Sequence, residues 1–579
     1  MSAADPSINL TVEDGGLGVI QASAENVCII IGCASQGPLD TVVQVAGGTA
    51  GIKLANSTFG YGPLVEAACL VLGTSGCTVL MVRVPSTYTT SKSAVTHSGT
   101  GTSTWTLSGT ATQTMNVQVT ITTGGTEGTS FSFQVTINGV ASPIVNQTTS
   151  GTYVIPGTGI TLNFGAGSLV LNDTYSFTTF AANSAVTQVG TGGSLMTVSG
   201  NPADEYVVTV TVAVGGTEGT AGAQISISLD GVSVNGPFAL PTSGNFIVGG
   251  PDSSGQGIPA NTGLTLAFAA GSLVAGDTYS FTSSPPSYSL TDLAAAMSAI
   301  LASPNNARCI MATGPAGSSA GAAAMQAAMD TQLATGATDN MYTRGFVECP
   351  PDTDAATIAA FTNIFSKRVV VGAGYAMVSS PLTGLEQSRS STWVTVAREM
   401  MIPLHELTGR RATGPVTGIT SISRDERATP GLYTNSPGFC VLQTDRGYGG
   451  FYITGAPLQA PPGSDFYEFP LGAVMDEACT LSMQALHDFL NDTERVTAAG
   501  DINETDAQNI ETHINAYVRP ILVGGNNPYQ AQDASDFNAQ VVRDNDILST
   551  EQLQVTLTVT PVGYNRSISA TITYFNPAL

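Results

Sequence analysis

Leu553-Gln-Val-Thr-Leu-Thr-Val-Thr-Pro-Val562 and Ile568-Ser-Ala-Thr-Ile-Thr-Tyr574 decide how this chain is read. In the first, Val555, Leu557 and Val559 alternate with Thr556, Thr558 and Thr560. In the second, Ile568, Ala570, Ile572 and Tyr574 alternate with Ser569, Thr571 and Thr573, beyond a turn near Gly563-Tyr564-Asn565. A period of two predicts strands with one apolar face each. The second runs almost to the last residue, and a terminal strand can leave its own domain and pair with another copy. Upstream, Val474, Ala478, Leu481, Ala485 and Phe489 recur at helical spacing, with Asp476, Glu477, Asp488 and Asp492 elsewhere on the helix. A second helix is expected from Glu504 to Tyr517, stopped by Pro520 and the Gly524-Gly525 pair.

The other end of the chain reads differently. Ile8, Leu10 and Val12 alternate with polar residues before Gly15-Gly16, as an extended arm or an ordinary edge strand would. Val27 to Gly32 is a continuous apolar run of the kind a strand buried on both faces needs. Pro63 to Leu72 reads as a helix with Pro at its start and Gly73 at its end, followed by a strand from Thr78 to Val84. Strand and helix alternate again after Ser289 and Asp292, which form a capping-box start. This alternation predicts a mostly parallel sheet with helices on its faces.

Between the two halves the composition changes. No Lys or Arg occurs between Lys92 and Arg308, and the segment repeats itself. Gly124-Gly-Thr-Glu-Gly-Thr129 recurs as Gly215-Gly-Thr-Glu-Gly-Thr220, and Asp173-Thr-Tyr-Ser-Phe-Thr178 as Asp277-Thr-Tyr-Ser-Phe-Thr282. Short alternating strands with Gly-rich turns predict two small β-sandwiches inserted in one loop. The expected division is residues 1–20 as an arm, 21–95 with 286–437 as a split α/β domain, 96–192 and 193–285 as the inserts, and 438–579 as an α+β C-terminal domain. A chain of 579 residues is expected to hold roughly two to four domains.

The net charge of −24 argues against sequence-independent nucleic-acid binding and against anionic membranes. Half of the 18 Lys and Arg fall between Lys367 and Arg446, followed by an acidic region. This is either a solvated face or a basic surface (Arg410, Arg411, Arg424, Arg427) meeting Asp476, Glu477 and Asp488 of a neighbouring copy. The eight cysteines are scattered without a CxxC, as buried thiols made in a reducing cytoplasm would be. The N-terminus shows no signal-peptide pattern, and no run approaches a membrane span.

Catalytic motifs are present in letters only. Gly317-Ser-Ser-Ala-Gly321 matches the G-x-S-x-G of hydrolases, with His405 as a candidate base. Yet Thr313 to Ser318 separate Ser319 from the preceding strand, and helix capping explains the serines more simply. Asp501-Ile-Asn-Glu-Thr-Asp506 begins like a calcium loop but lacks Gly at the sixth position and has Thr512 at the twelfth, so a helix start is expected. The four histidines are isolated, and there is no zinc spacing or phosphate-binding loop. No cofactor, metal or catalytic role is expected.

The C-terminal strands after two helices, together with Gly15-Gly-Leu-Gly-Val-Ile20, Val27-Cys-Ile-Ile-Ile-Gly32 and Gly76-Cys-Thr-Val-Leu-Met-Val-Arg-Val84, resemble contractile bacteriophage tail sheath proteins over roughly two thirds of the chain. The resemblance implies a helical homopolymer around a tail tube, with the C-terminal domain innermost and terminal arms completing a sheet in neighbours. It implies the tube, baseplate and tail terminator proteins as partners, the virion as location, and assembly in the host cytoplasm. A β-repeat adhesin and a serine hydrolase using Ser319 are the alternatives.

Overall fold

The computed structural model describes residues 26–566 and 569, apart from 89–90, 112–113, 148–150, 181, 232, 251–257, 259–261, 315–316, 385, 525–532 and 545. Ile8, Leu10, Val12, Ile568, Ala570, Ile572 and Tyr574 lie outside the described residues. The organising element is β1 (Val27–Gly32), buried along its whole length. It pairs in parallel with β3 (Thr78–Arg83) on one side and β4 (Cys309–Ala312) on the other. β5 (Arg344–Cys349) and β6 (Val369–Ala373) extend the parallel run, and β2 (Val42–Val45) closes the far edge antiparallel to β3. The order is β2-β3-β1-β4-β5-β6.

Successive side chains of a strand point to opposite faces, so each strand feeds two cores. Cys28 and Ile30 pack with Val79, Met81 and Met311 on one face, and Ile29 and Ile31 pack with Leu80, Val82 and Ile310 on the other. Burying each of these isoleucines contributes about 1.5–3 kcal/mol. The first face is covered by α1 (Thr49–Phe59), α2 (Pro63–Ser75) and α6 (Ser391–Glu399), the second by α3 (Leu290–Leu301) and α4 (Ser319–Thr338). One reading is corrected here. Helix α2 does not end at Gly73 but runs to Ser75, because Gly76 (φ 68°) supplies the left-handed turn that ends it. The short α5 (Asp354–Ala360) leaves Phe361 just beyond its end, where it is buried.

The repeated segment leaves the sheet after β3 and returns into α3. At the crossing, Thr87 and Ser287 exchange both backbone hydrogen bonds (2.7 and 3.0 Å), although 200 residues separate them. Each repeat folds around a core of its own. In the first, the sheet runs from the edge strand Val140–Gln147 through Phe131–Ile137 and Met115–Thr123 to Thr174–Phe180. A second sheet of three strands is built on Ile160–Phe164. The second repeat copies this with Ser233–Ala239, Gln224–Leu229, Tyr206–Val214, Thr278–Ser283 and Thr265–Phe268. The Asp-Thr-Tyr motif has a physical reason. Asp173 accepts from the N–H groups of Thr100 and Gly101 while Tyr175 donates to the Ser103 carbonyl. Asp277 and Tyr279 do the same for Thr191, Gly192 and Ser194. A Cβ on Gly99 (φ +144°) would lie 1.9 Å from the Asp173 carboxylate, so the loop closes only on glycine.

The segment after Gly438 is bonded to the edge of the parallel sheet. Cys440 donates to Val371 at 2.9 Å and accepts from Ala373 at 2.8 Å, and Gln459 donates to Val369 at 3.0 Å. Helices α7 (Phe469–Leu486) and α8 (Glu504–Leu522) then join the same apolar core as α2 and α6. No break in packing marks residue 438. Helix α8 passes through Pro520 instead of stopping before it. Proline in the last turn removes one N–H, and the fully buried Val518 and Leu522 hold the helix on the core to Leu522. Phe489 falls in a 3-10 turn beyond α7.

Candidate assembly surface

The alternating stretch forms β8 (Val555–Pro561), paired antiparallel with β7 (Ala534–Val541) of the same chain. Val555, Leu557 and Val559 lie half-buried against the shared core, and Thr556, Thr558 and Thr560 face solvent. The two edges of this ladder differ. The outer edge of β7 is covered by side chains of α8. Val541 N–H donates to Glu511 at 2.7 Å and Ala539 N–H to Asn515 at 3.1 Å, while Asn515 and Arg519 donate to the carbonyls of Ala539 and Phe537. Glu511, Asn515 and Arg519 repeat every four residues, which places them on one stripe of the helix, beside the buried stripe of Ala507, Ile510, Ile514 and Val518. Since Ala539 and Val541 turn toward α8, Asn538 and Gln540 bond to β8, opposite Thr558 and Thr556. The alternation of an antiparallel ladder then points the N–H and C=O groups of Val555, Leu557 and Val559 away from β7. Among the described residues no backbone group meets them.

Beyond β8 the chain straps back onto the body. Tyr564 donates to the carbonyl of His405 at 2.7 Å, and Arg566 pairs with Glu468 at 2.7 Å while stacking on Tyr467. Glu468 is almost fully buried at the start of α7. Burial raises its pKa, opposed by Arg566, the Tyr433 hydroxyl and the Ala456 N–H. Sequence reasoning missed this strap and the capping stripe of α8. The four-residue spacing of Glu511, Asn515 and Arg519 was the visible signal for the stripe.

The expected charge surface is mostly engaged within the chain. Arg410 pairs with Glu406, Arg411 with Asp445 at 2.5 Å, and Arg424 with Asp354 at 2.8 Å and with Glu426. Arg427 donates to the Thr444 hydroxyl at 3.1 Å. Asp476 does not face outward, because α7 packs its side chain under the sheet against Arg344 at 2.9 Å and Arg368 at 3.6 Å. A buried carboxylate requires such partners. Burial raises its pKa, and the two arginines oppose that rise. Glu477 is half-buried, and Asp488 is exposed, 3.6 Å from His513.

The candidate hydrolase residues have separate partners. Ser319 donates to Asp352 at 2.8 Å and lies 3.3 Å from Thr357, while Ser318 caps α4 by accepting from the Gly321 N–H. His405 is bonded to Asp533 at 2.7 Å. Asn503 caps α8, so the Asp501–Asp506 segment is a helix start. Among the described residues no group of three or more His, Cys, Asp or Glu could hold a metal ion, and no helix is long and apolar enough to cross a membrane.

Among curated proteins none matches this chain. Several solved structures are similar. The sheath tail protein of Listeria innocua is 10% identical, covers 93% of this chain and 96% of its own, and has a TM-score of 0.37. That of Desulfitobacterium hafniense is 12% identical, covers 96% and 100%, and scores 0.38. The PVC sheath complex of an extracellular contractile injection system, in its contracted state, is 9% identical, covers 53% and 78%, and scores 0.37. Likeness at scores this low is too loose to carry a functional inference. A family model described as DUF2586, N-terminal domain, matches residues 6–456. That match takes in the whole parallel sheet and both inserted repeats, and the chain belongs to the DUF2586 family.

Proposed function

We propose that this chain is the structural subunit of a contractile tail sheath, which polymerises helically around a tail tube and shortens by rearrangement of its subunits. The observation that carries the reading is the outward edge of β8, which no backbone group meets among the described residues. It offers the outward backbone groups of Val555, Leu557 and Val559 on a ladder whose other side is capped. A strand added there gains main-chain hydrogen bonds from a neighbour without remodelling the core. The strands lent by neighbours are the alternating termini, Ile8, Leu10 and Val12 at one end and Ile568, Ala570, Ile572 and Tyr574 at the other. Such links tolerate rigid-body movement of the bodies they join, so a lattice can shorten without coming apart.

In this reading the α/β body and the C-terminal helices form the working part. The two repeats are decoration carried on the Thr87–Ser287 neck. Of the basic residues, the exposed Arg410 and Arg411 would have to exchange their intrachain partners Glu406 and Asp445 for the Asp488 side of the next copy as the lattice rearranges. The protein's role is mechanical and involves no chemical step. Its partners are further copies of itself, the tube, the baseplate and the tail terminator, within a phage or phage-like particle. Deleting Ile568 to Leu579, or the first twelve residues, leaves a folded monomer that forms no tubes by electron microscopy. Regular tubes from either truncated chain would refute strand exchange.

A further inference from the structure

A cluster of carboxylates, with Glu66, Asp204 and Glu348 buried and Glu205 and Asp230 half-buried, lies where the second repeat meets the body. The repeat contributes Asp204 and Glu205, just before the strand Tyr206–Val214, and Asp230 at the turn after Gln224–Leu229. The body contributes Glu66 on α2, Glu348 on β5, and Gln387 and Arg389 on the strand Glu386–Ser390. Arg389 donates from both terminal nitrogens to Asp204, at 2.9 and 2.6 Å. Gln387 donates to Asp230 at 3.3 Å, and Ser380 donates to Glu66 at 2.5 Å. The Arg389 guanidinium stacks 4.9 Å from the ring of Trp393, whose indole N–H donates to Glu348. Glu348 also accepts from the Gly314 N–H at 3.2 Å. Charge does not balance here. Glu66, Asp204, Glu205, Asp230 and Glu348 converge, and among the described residues Arg389 is the cation they share.

We propose that this junction is a pH-sensitive hinge, which holds the second repeat firmly against the body in mild acid and loosens as the medium becomes neutral to alkaline. A largely buried interface that gathers several carboxyls around one guanidinium is most stable while some of them keep their protons. Burial pushes Glu66 up to about 7, with Arg389 opposing the rise and Asp204 and Asp230 adding to it. Burial also pushes Glu348 up to about 7 against its bonds from Trp393 and Gly314. Glu205 and Asp230 are raised by burial as well. The neighbouring Tyr206, Tyr288 and Tyr375 and the Cys69 thiol all have their pKa values raised by burial, so they do not offset this response. A carboxyl whose docked pKa exceeds its solvated one favours docking at low pH. That contribution is complete below the ordinary carboxylate range and is lost as pH rises through about 7. The hinge therefore works between about pH 4.5 and 7, and its operation does not depend on the assembly reading above.

The chain has two tryptophans, and one of them, Trp393, lies in the cluster. In the full-length Trp105→Phe chain, acrylamide quenching of Trp393 is expected to rise by about twofold or more between pH 5.5 and 8.5. Adding Glu66→Gln, which keeps an acceptor for Ser380 but cannot ionise, is expected to remove at least about half of that rise. In the unmutated chain, hydrogen exchange of Tyr206–Val214 and Glu386–Ser390, corrected for the intrinsic effect of pH, is expected to show greater protection at pH 5.5. Quenching that is equal at both pH values, an undiminished response with Glu66→Gln, or equal protection of those strands would overturn the hinge.

Discussion

The edge strands of the inserted repeats and the edge strand of the C-terminal ladder are finished in opposite ways. In the first repeat, Val140–Gln147 carries Pro143 in a bulge between Ala141 and Ile144. In the second, Ser233–Ala239 carries Pro237 where the pairing with Gln224–Leu229 shifts register. Proline has no N–H to offer, and a bulge twists the strand away from any would-be partner. β8 is regular from Val555 to Thr560 and meets proline only at its last residue, Pro561. The fold thus blunts edges where pairing would be harmful and covers the outer edge of β7 with Glu511, Asn515 and Arg519. Among the described residues no backbone group covers the outward edge of β8, and that contrast favours an edge kept for use.

The contrast can be broken most directly at Leu557. Its N–H points away from β7, so Leu557→Pro removes a donor from the open edge without taking a hydrogen bond from the ladder. It should cost about 1–2 kcal/mol in packing yet abolish tube formation seen by electron microscopy. Thr558→Pro, whose N–H faces β7, should instead unfold the ladder itself. A smaller effect is expected from the covered edge. Asn515→Ala leaves the Ala539 N–H and C=O without their side-chain partner, and urea unfolding should show a loss of about 1–3 kcal/mol. The smallest is expected from the blunted edges. Pro143→Val or Pro237→Val restores a donor at an insert edge, and light scattering should then show slow, concentration-dependent association without regular tubes.

What the sequence disclosed follows the same physics. β8 was legible because threonine and aliphatic residues alternate strictly along it. Its partner β7, with the sequence Ala-Ser-Asp-Phe-Asn-Ala-Gln-Val, was not, because Asp536, Asn538 and Gln540 are poor strand formers and the strand owes its place to β8 and α8. The repeats were legible because a duplicated core must duplicate its letters, down to the Asp-Thr-Tyr motif that closes each loop. Helix ends were misread at Gly73 and Pro520, where packing of the neighbouring turns overrides local preference. Asp476 illustrates the limit for charges. Helical spacing marks it as off the apolar face, but the arginines that allow its burial, Arg344 on a strand and Arg368 just before one, lie more than a hundred residues away. The Glu66–Arg389–Asp204 cluster was hidden for the same reason, since its members come from three distant stretches of chain.

The two hydrogen bonds between Thr87 and Ser287 have a consequence for how such a protein can change. They bring the start and finish of the excursion side by side, so the parallel sheet meets the same two neighbouring ends whatever lies beyond them. A lineage could lengthen, trade or shed that excursion in a single recombination event and leave the parallel sheet untouched. The second repeat, which shares the fold and the Gly-Gly-Thr-Glu-Gly-Thr and Asp-Thr-Tyr-Ser-Phe-Thr motifs of the first, is what one such duplication would leave behind.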